Sequence, residues 1–245
     1  IGLETSIGLA TRGCKVIIAC RSNAEQVKAD IIRTTNNPNI VTKHVNLASF
    51  TSVRNFCTEI HKTEREIDIL IHNADLLKKS GNARIVFVSS ILSFYNDLTV
   101  NNLDAIVRIP VSFWHSIYTY ANSKVGQIII SNELAEKLRP FGITSNALHP
   151  GLVRTTMYDG IFAYNLVPSL LMRLFFLISR PFFMKKGLKE LSSWHRQTTK
   201  LQAHFLWNFN KVPACVKNKR FRKKVWKKIE ELVRLTPEEK IRGLP

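Results

Sequence analysis

Tyr120 and Lys124 are the residues of this sequence whose types and spacing could do acid–base chemistry. They are four residues apart in a segment patterned as a long helix, from about Ile117 to Leu138, so they should share one face, one turn apart. An unperturbed Tyr hydroxyl titrates at about pH 10 and is a poor acid–base group at neutral pH. We expect the Lys124 ammonium to favour the phenolate and so to lower the pKa of Tyr120.

A serine hydroxyl stands at the end of the apolar run that precedes this helix. The run, Arg84 to Ser89, predicts a buried strand, and Ser90 follows it directly. Ligands of open α/β sheets bind at the carboxyl ends of strands, so the Ser90 hydroxyl could hydrogen-bond a substrate carbonyl oxygen. Ser89 remains the alternative.

Short apolar runs alternate with longer amphipathic ones along the first part of the chain. The predicted strands are Lys15–Cys20, Ile40–Val45, Ile67–Ile71, Arg84–Ser89 and Ile143–Leu148. The predicted helices are Asn23–Thr35, a helix capped by Ser49, and the helix that carries Tyr120. Strands that alternate with helices predict a doubly wound α/β fold, with a parallel sheet covered on both faces.

Two places break this alternation. The chain opens on a helical stretch, Ile1 to Ala10, with no strand before it. Only nine residues, Asp75 to Ala83, separate two strands that ought to be parallel. A parallel crossover needs roughly ten to twelve residues, usually with a helix. Either a segment is missing there, or these strands are not neighbours joined in the usual way.

These motifs together resemble the short-chain dehydrogenase/reductase family. Ser90, Tyr120 and Lys124 resemble its catalytic Ser, Tyr and Lys, and His149-Pro150-Gly151 resembles its nicotinamide-side loop. Ile71–Ala74 resembles the NNAG segment that ends the family's fourth strand. Three further stretches resemble the retinol-dehydrogenase-like branch of the family: Ala19–Arg21, Asn46–Ser49 and the tail from Lys211 to Ile241. The resemblance favours Ser90 over Ser89.

The resemblance implies hydride transfer between NAD(P) and an alcohol or a carbonyl. Tyr120 would be the general acid–base, Lys124 would hold the nicotinamide ribose, and Ser90 would orient the substrate oxygen. Arg21 follows the family's second strand, where an Arg accommodates the 2′-phosphate, so NADP is expected rather than NAD. No metal is expected. The implied cofactor-binding residues are Gly2, Arg21, Asn46, Leu47, Asn73, Ala74, Tyr120, Lys124, Pro150, Gly151, Val153 and Thr155.

The chain also departs from the family pattern. Only Ile1-Gly2 corresponds to the glycine-rich loop TGxxxGIG, and Asp75 stands where NNAG has its glycine. The helix between the family's fourth and fifth strands has no counterpart. We therefore expect an incomplete copy, a doubly wound sheet that lacks its first strand and one crossover helix. The alternative to an enzyme is a catalytically inactive relative that acts as a membrane-surface or interaction protein.

Composition changes along the chain predict three regions. Residues 1–160 would form the remnant dinucleotide-binding domain, and residues 161–210 an apolar substrate lid or membrane-facing segment of the same domain. By resemblance, the lid suits a hydrophobic alcohol or carbonyl such as a retinoid. Four cysteines without a CxxC pair indicate a reduced intracellular protein, and the resemblance adds the endoplasmic reticulum or another membrane surface.

The third region, residues 211–245, predicts a basic amphipathic helix. The net charge is +18, and residues 217–228 alone carry eight Lys or Arg. Phe221, Val225 and Ile229 recur at helical spacing among these cations. Such a helix can dock on its own domain, lie on anionic lipid or bind a partner. No motif for specific nucleic-acid recognition accompanies it.

Overall fold

The computed structural model describes residues 2–22, 24–72, 83–107, 113–149 and 212–236. The helices are α1 Gly2–Ala10, α2 Glu25–Thr35, α3 Phe50–Thr63, α4 Phe113–Leu138, α5 Ala214–Lys217 and α6 Lys219–Val233. The strands are β1 Val16–Cys20, β2 Ile40–His44, β3 Ile69–His72, β4 Arg84–Val88 and β5 Thr144–Leu148. Short 3₁₀ turns cover Ile91–Tyr95, Leu103–Val107 and Arg139–Phe141. The alternation of strands and helices confirms the predicted α/β class.

The described strands form two parallel sheets. One contains β1 and β2, and the other has the order β3-β4-β5. Across the described ranges no backbone pairing joins the two sheets. β3 and β4 are parallel neighbours. The connection between them, residues 73–83, is about as short as a parallel crossover can be. The alternative that these two strands are not neighbours is therefore wrong.

Local sequence signals explain where the elements begin. Ser49 is extended and its side chain accepts a hydrogen bond from Ser52 N at 3.2 Å, which caps α3 as predicted. The helix that carries the Tyr–Lys pair begins at Phe113, earlier than the predicted Ile117. The second helix begins at Glu25, two residues after the predicted Asn23.

Most of the described core lies between the three-stranded sheet and two helices. Ile85 and Phe87 alternate along β4 and are buried in a cluster that also contains residues of α4 and α6. A second, smaller cluster belongs to the two-stranded sheet and consists of Ala10, Val16, Ile31 and Ile40. Each sheet therefore has its own hydrophobic cluster, and the candidate chemistry lies in the larger one.

Helix α6 packs on α4 through its apolar stripe. Phe221 and Val225 are 5% and 0% exposed, and they belong to the cluster that contains Ile85 and Phe87. Of the three destinations that the sequence left open for this stripe, the structure therefore shows docking on the domain. In the described part of the chain, no helix combines the length and the hydropathy that crossing a bilayer requires. The predictions for residues 161–210 lie outside the described residues.

Candidate active site at the carboxyl ends of β4 and β5

The predicted Tyr–Lys pair lies on one face of α4. The Lys124 ammonium is 5.5 Å from the centroid of the Tyr120 ring, as expected for side chains one turn apart. Lys124 Nζ donates to the carbonyl oxygen of Val88 at 2.9 Å and to Gln127 Oε1 at 3.3 Å. Because Val88 is the last residue of β4, the ammonium lies at the carboxyl end of this strand.

Ser90 is the serine whose hydroxyl meets Tyr120. Its side chain opposes part of the rise that burial causes in the pKa of Tyr120, and its Oγ accepts from Leu92 N at 3.3 Å. The Ser89 hydroxyl instead donates to the backbone carbonyl of Lys124 at 2.8 Å. Ser89 thus ties the strand end to α4, while Ser90 faces the phenol. This geometry favours Ser90 over Ser89.

The two ionisable groups of the pair are both shifted toward their neutral forms. Burial raises the pKa of the Tyr120 phenol, and the hydrogen bond with Ser90 opposes this only in part. Burial also lowers the pKa of Lys124. The prediction that Lys124 lowers the pKa of Tyr120 is therefore wrong for this structure. The physical reason is that burial removes water from the phenol, and this loss of hydration sets the net direction of the pKa shift.

His149 joins the ends of β4 and β5. Its Nδ1 accepts a hydrogen bond from the backbone N–H of Ile91 at 3.2 Å. The side chain is buried, and burial lowers the pKa of His149 to about 4. The sequence predicted no separate role for this residue beyond its place in the loop motif His149-Pro150-Gly151. His149 directly follows β5 and is level with Ser89 at the end of β4. This position is the signal that could have singled out His149.

Asn122 lies between the Tyr and the Lys in sequence and faces the interior. It is fully buried, and its Nδ2 donates to Asp97 Oδ1 at 2.7 Å and to the Ala105 carbonyl at 3.3 Å. Its Oδ1 accepts from Asp97 N at 3.2 Å. These bonds hold residues 97–105 against α4. Asn122 shares a helix face with Val125 at i+3 and Ile129 at i+7. A polar residue on such an apolar face is the sequence signal that could have predicted this buried network.

The predicted cofactor residues of the amino-terminal half are spread over several loops. Arg21 is exposed just after β1, and Leu47 is 53% exposed after β2. Asn46 Oδ1 accepts from Ala48 N at 3.1 Å, so it closes the turn before α3. Gly2 is exposed at the first turn of α1.

The structure therefore brings Ser90, Tyr120 and Lys124 together and leaves Arg21, Asn46 and Leu47 after the strands of a separate sheet. Six predicted cofactor residues lie outside the described part of the chain: Asn73, Ala74, Pro150, Gly151, Val153 and Thr155.

Comparison with known proteins identifies the family. The family described as short chain dehydrogenase matches residues 1–81. Retinol dehydrogenase 14 of Mus musculus is 30% identical over 228 residues, which cover 75% of this chain and 66% of that protein. Dehydrogenase/reductase SDR family member 13 of Bos taurus is 32% identical over 192 residues, which cover 64% and 50%. The chain belongs to the short-chain dehydrogenase/reductase family. These relatives place it in the retinol-dehydrogenase-like branch.

Solved structures agree with this family assignment at the level of fold. An uncharacterised protein from Mycobacterium paratuberculosis superposes with a TM-score of 0.64 at 17% identity, covering 95% of this chain and 89% of the other. L-sorbose reductase from Gluconobacter frateurii, complexed with NADPH and L-sorbose, has a TM-score of 0.57 at 14% identity, with coverage of 84% and 90%. At these identities the likeness shows the fold alone.

Coverage of the curated relatives is partial. The chain spans from 50% to 66% of their lengths in these two matches. Short-chain dehydrogenases bind NAD or NADP, which is consistent with a Tyr–Lys pair at the carboxyl ends of parallel strands.

Proposed function

We propose that this short-chain dehydrogenase interconverts an alcohol and a carbonyl on a hydrophobic, retinoid-like substrate, with NADP as cofactor. The observation that carries the proposal is the Lys124 ammonium 5.5 Å from the centroid of the Tyr120 ring, with Ser90 at the end of the neighbouring strand. Three groups that can orient and protonate one oxygen thus meet at the carboxyl end of β4, where open α/β sheets bind ligands.

Lys124 supports the binding of a dinucleotide through its nicotinamide ribose. An ammonium has three N–H donors, and two donors of Lys124 meet Val88 O and Gln127 Oε1. Lys124 can donate the third to a ribose hydroxyl. When bound, NADP supplies or accepts the hydride. Tyr120, held neutral by burial, would give its proton to the carbonyl oxygen; in the reverse direction its phenolate would take the alcohol proton, and Ser90 would orient the oxygen.

The preference for NADP rests on Arg21. Its guanidinium is exposed directly after β1, where an Arg can accommodate a 2′-phosphate. We expect the kcat/KM for NADPH to exceed that for NADH, and Arg21→Glu to reverse the order. Equal efficiencies with the two cofactors in the unmodified chain would contradict this preference.

The test of the activity is NADPH oxidation with all-trans-retinal. We expect turnover that Tyr120→Phe reduces about a hundredfold or more, because the substitution removes the proton donor and keeps the ring. Tyr118→Phe is the matched control, since Tyr118 is 40% exposed on the same helix. Turnover by both variants at the unmodified rate would reject the mechanism.

A second candidate function is contact with an anionic membrane surface. The apolar stripe of α6 is buried on α4, so insertion of that stripe into lipid is not what supports this function. The support comes from the opposite face, where four exposed cations recur at i, i+3, i+4 and i+7: Arg220, Lys223, Lys224 and Lys227. An inactive relative retained for such contact would show no turnover in the retinal assay and would still bind vesicles.

A further inference from the structure

The backbone on both sides of Ser90 is tied to the end of β5. Ser89 N donates to the carbonyl oxygen of Leu148 at 2.7 Å, which continues the parallel ladder past the end of β4. Ile91 N donates to His149 Nδ1 at 3.2 Å, so a ring nitrogen takes the place of a backbone carbonyl. Ser90 is therefore held between two anchored amides.

The acceptor in the second bond requires a neutral imidazole with its proton on Nε2. The His149 side chain is 6% exposed, and burial lowers its pKa to about 4. An imidazolium has two donors and no acceptor, so it could not receive the Ile91 N–H. At neutral pH the ring is uncharged, and Nδ1 can accept.

We propose that His149 is a positioning residue, whose Nδ1 fixes the Ile91 amide and thereby holds the Ser90 hydroxyl against Tyr120. Ser90 is the N-cap of the 3₁₀ turn Ile91–Tyr95, and its Oγ accepts from Leu92 N. A rotation of the peptide between Ser90 and Ile91 would move both the cap and the hydroxyl. The hydrogen bond can be tested by itself, whereas its catalytic consequence rests on the proposed function.

Two substitutions distinguish the effect of the hydrogen-bond acceptor from the effect of side-chain size. His149→Asn keeps an acceptor oxygen at the position of Nδ1, while His149→Gln carries its amide one bond further, near the position of Nε2. Hydrogen exchange of the Ile91 amide at neutral pH is the first readout. We expect the Gln variant to exchange about tenfold faster than the unmodified chain, and the Asn variant to stay within about threefold. His44→Gln, at an exposed position, is the control.

Ring nitrogen shifts of the unmodified chain provide a readout that needs no variant. We expect an unprotonated Nδ1 and a protonated Nε2 at pH 7. A protonated Nδ1, or equal Ile91 exchange in the Asn and Gln variants, would overturn the proposal. Neither result depends on turnover, so the proposed function can fail independently.

If the retinal assay shows turnover, kinetics test the positioning role. We expect His149→Gln to lower kcat about fivefold to tenfold while the KM for NADPH changes less than about twofold, because the hydrogen bond orients Ser90 rather than the cofactor. His149→Asn should recover most of kcat. Loss of kcat in both variants to the same extent would indicate a merely structural role and would reject the proposal.

Discussion

Burial sets the charge state of the site at the scale of single residues. Tyr120 and Lys124 are one helical turn apart, yet burial raises the pKa of the phenol and lowers that of the ammonium. Both shifts disfavour the charged form, which is the effect of removing a group from water. The Ser90 hydrogen bond opposes the shift of Tyr120. The phenol is therefore protonated at neutral pH and ready to donate.

A raised pKa of Tyr120 has opposite consequences for the two reaction directions. Carbonyl reduction uses the protonated phenol, so its rate should stay constant from pH 7 upward and fall only as pH passes the raised pKa, above about 10. Alcohol oxidation uses the phenolate, so its rate should rise over the same range. Steady-state rates at saturating cofactor measure both. An oxidation rate that is flat between pH 7 and pH 10 would contradict this assignment.

At the scale of elements, one arginine fastens the tail helix to the helix of the site. Arg222 Nε lies 3.1 Å from Glu133 Oε1, and Arg222 Nη2 lies 2.6 Å from Glu136 Oε1. Arg222 Nη1 also donates to the carbonyl oxygen of Val216 at 3.0 Å. Glu133 is 3% exposed, so its carboxylate depends on this guanidinium for compensation. The ion pair therefore fixes α6 on α4.

Removal of this guanidinium should destabilise the fold. Arg222→Leu leaves the Glu133 carboxylate buried beside an apolar side chain, which costs about 3–5 kcal/mol in the free energy of unfolding. Urea denaturation monitored by circular dichroism measures the change. Arg220→Leu is the matched control, because Arg220 is exposed on the same helix and should change stability by less than about 0.5 kcal/mol. Equal stability of the two variants would contradict the role of the pair.

Local chemistry accounts for what the sequence predicted well. Apolar runs, the Ser49 cap and the four-residue spacing of Tyr120 and Lys124 are properties of short segments, and all three reappear in the structure. The direction of the Tyr120 pKa shift was missed because it depends on burial by segments distant in sequence. The His149–Ile91 bond was missed for the same reason, since its partners are 58 positions apart.

The tail shows a similar limit at the level of elements. Its helical period was readable, and within the predicted range 211–245 the structure has the helix Lys219–Val233. Whether the apolar stripe met protein or lipid could not be decided from the period alone. The Arg222–Glu133 pair and the burial of Phe221 decide it, and both depend on the packing of α6 against α4.

At the scale of the whole molecule, charge is the dominant property. The net charge is +18, and the exposed cations of α6 form one stripe on the side away from the core. A positive surface attracts anionic lipid by about 1 kcal/mol for each Lys or Arg near the bilayer, and salt screens this attraction. Anionic lipid is favoured over nucleic acid because the stripe consists of cations without an aromatic side chain on which bases could stack.

Vesicle binding tests this surface. We expect co-sedimentation with phosphatidylserine vesicles, little with phosphatidylcholine vesicles, and release at about 1 M salt, where the Debye length is about 3 Å. Replacing the four cations of the stripe by Gln should weaken binding about tenfold or more. The control replaces four exposed cations elsewhere, Arg12, Arg33, Lys62 and Arg65. Equal weakening by both sets would show that net charge, not this stripe, is responsible.

The packing of α6 also has a consequence for biosynthesis. Val216, Phe221 and Val225 complete the cluster that contains Ile85 and Phe87, more than a hundred positions earlier in the chain. A nascent polypeptide emerges from the ribosome in order, so this cluster stays incomplete until α6 has been made. Such distant contacts slow folding and expose apolar surface meanwhile. The chain should therefore depend on chaperones during translation more than its size alone suggests.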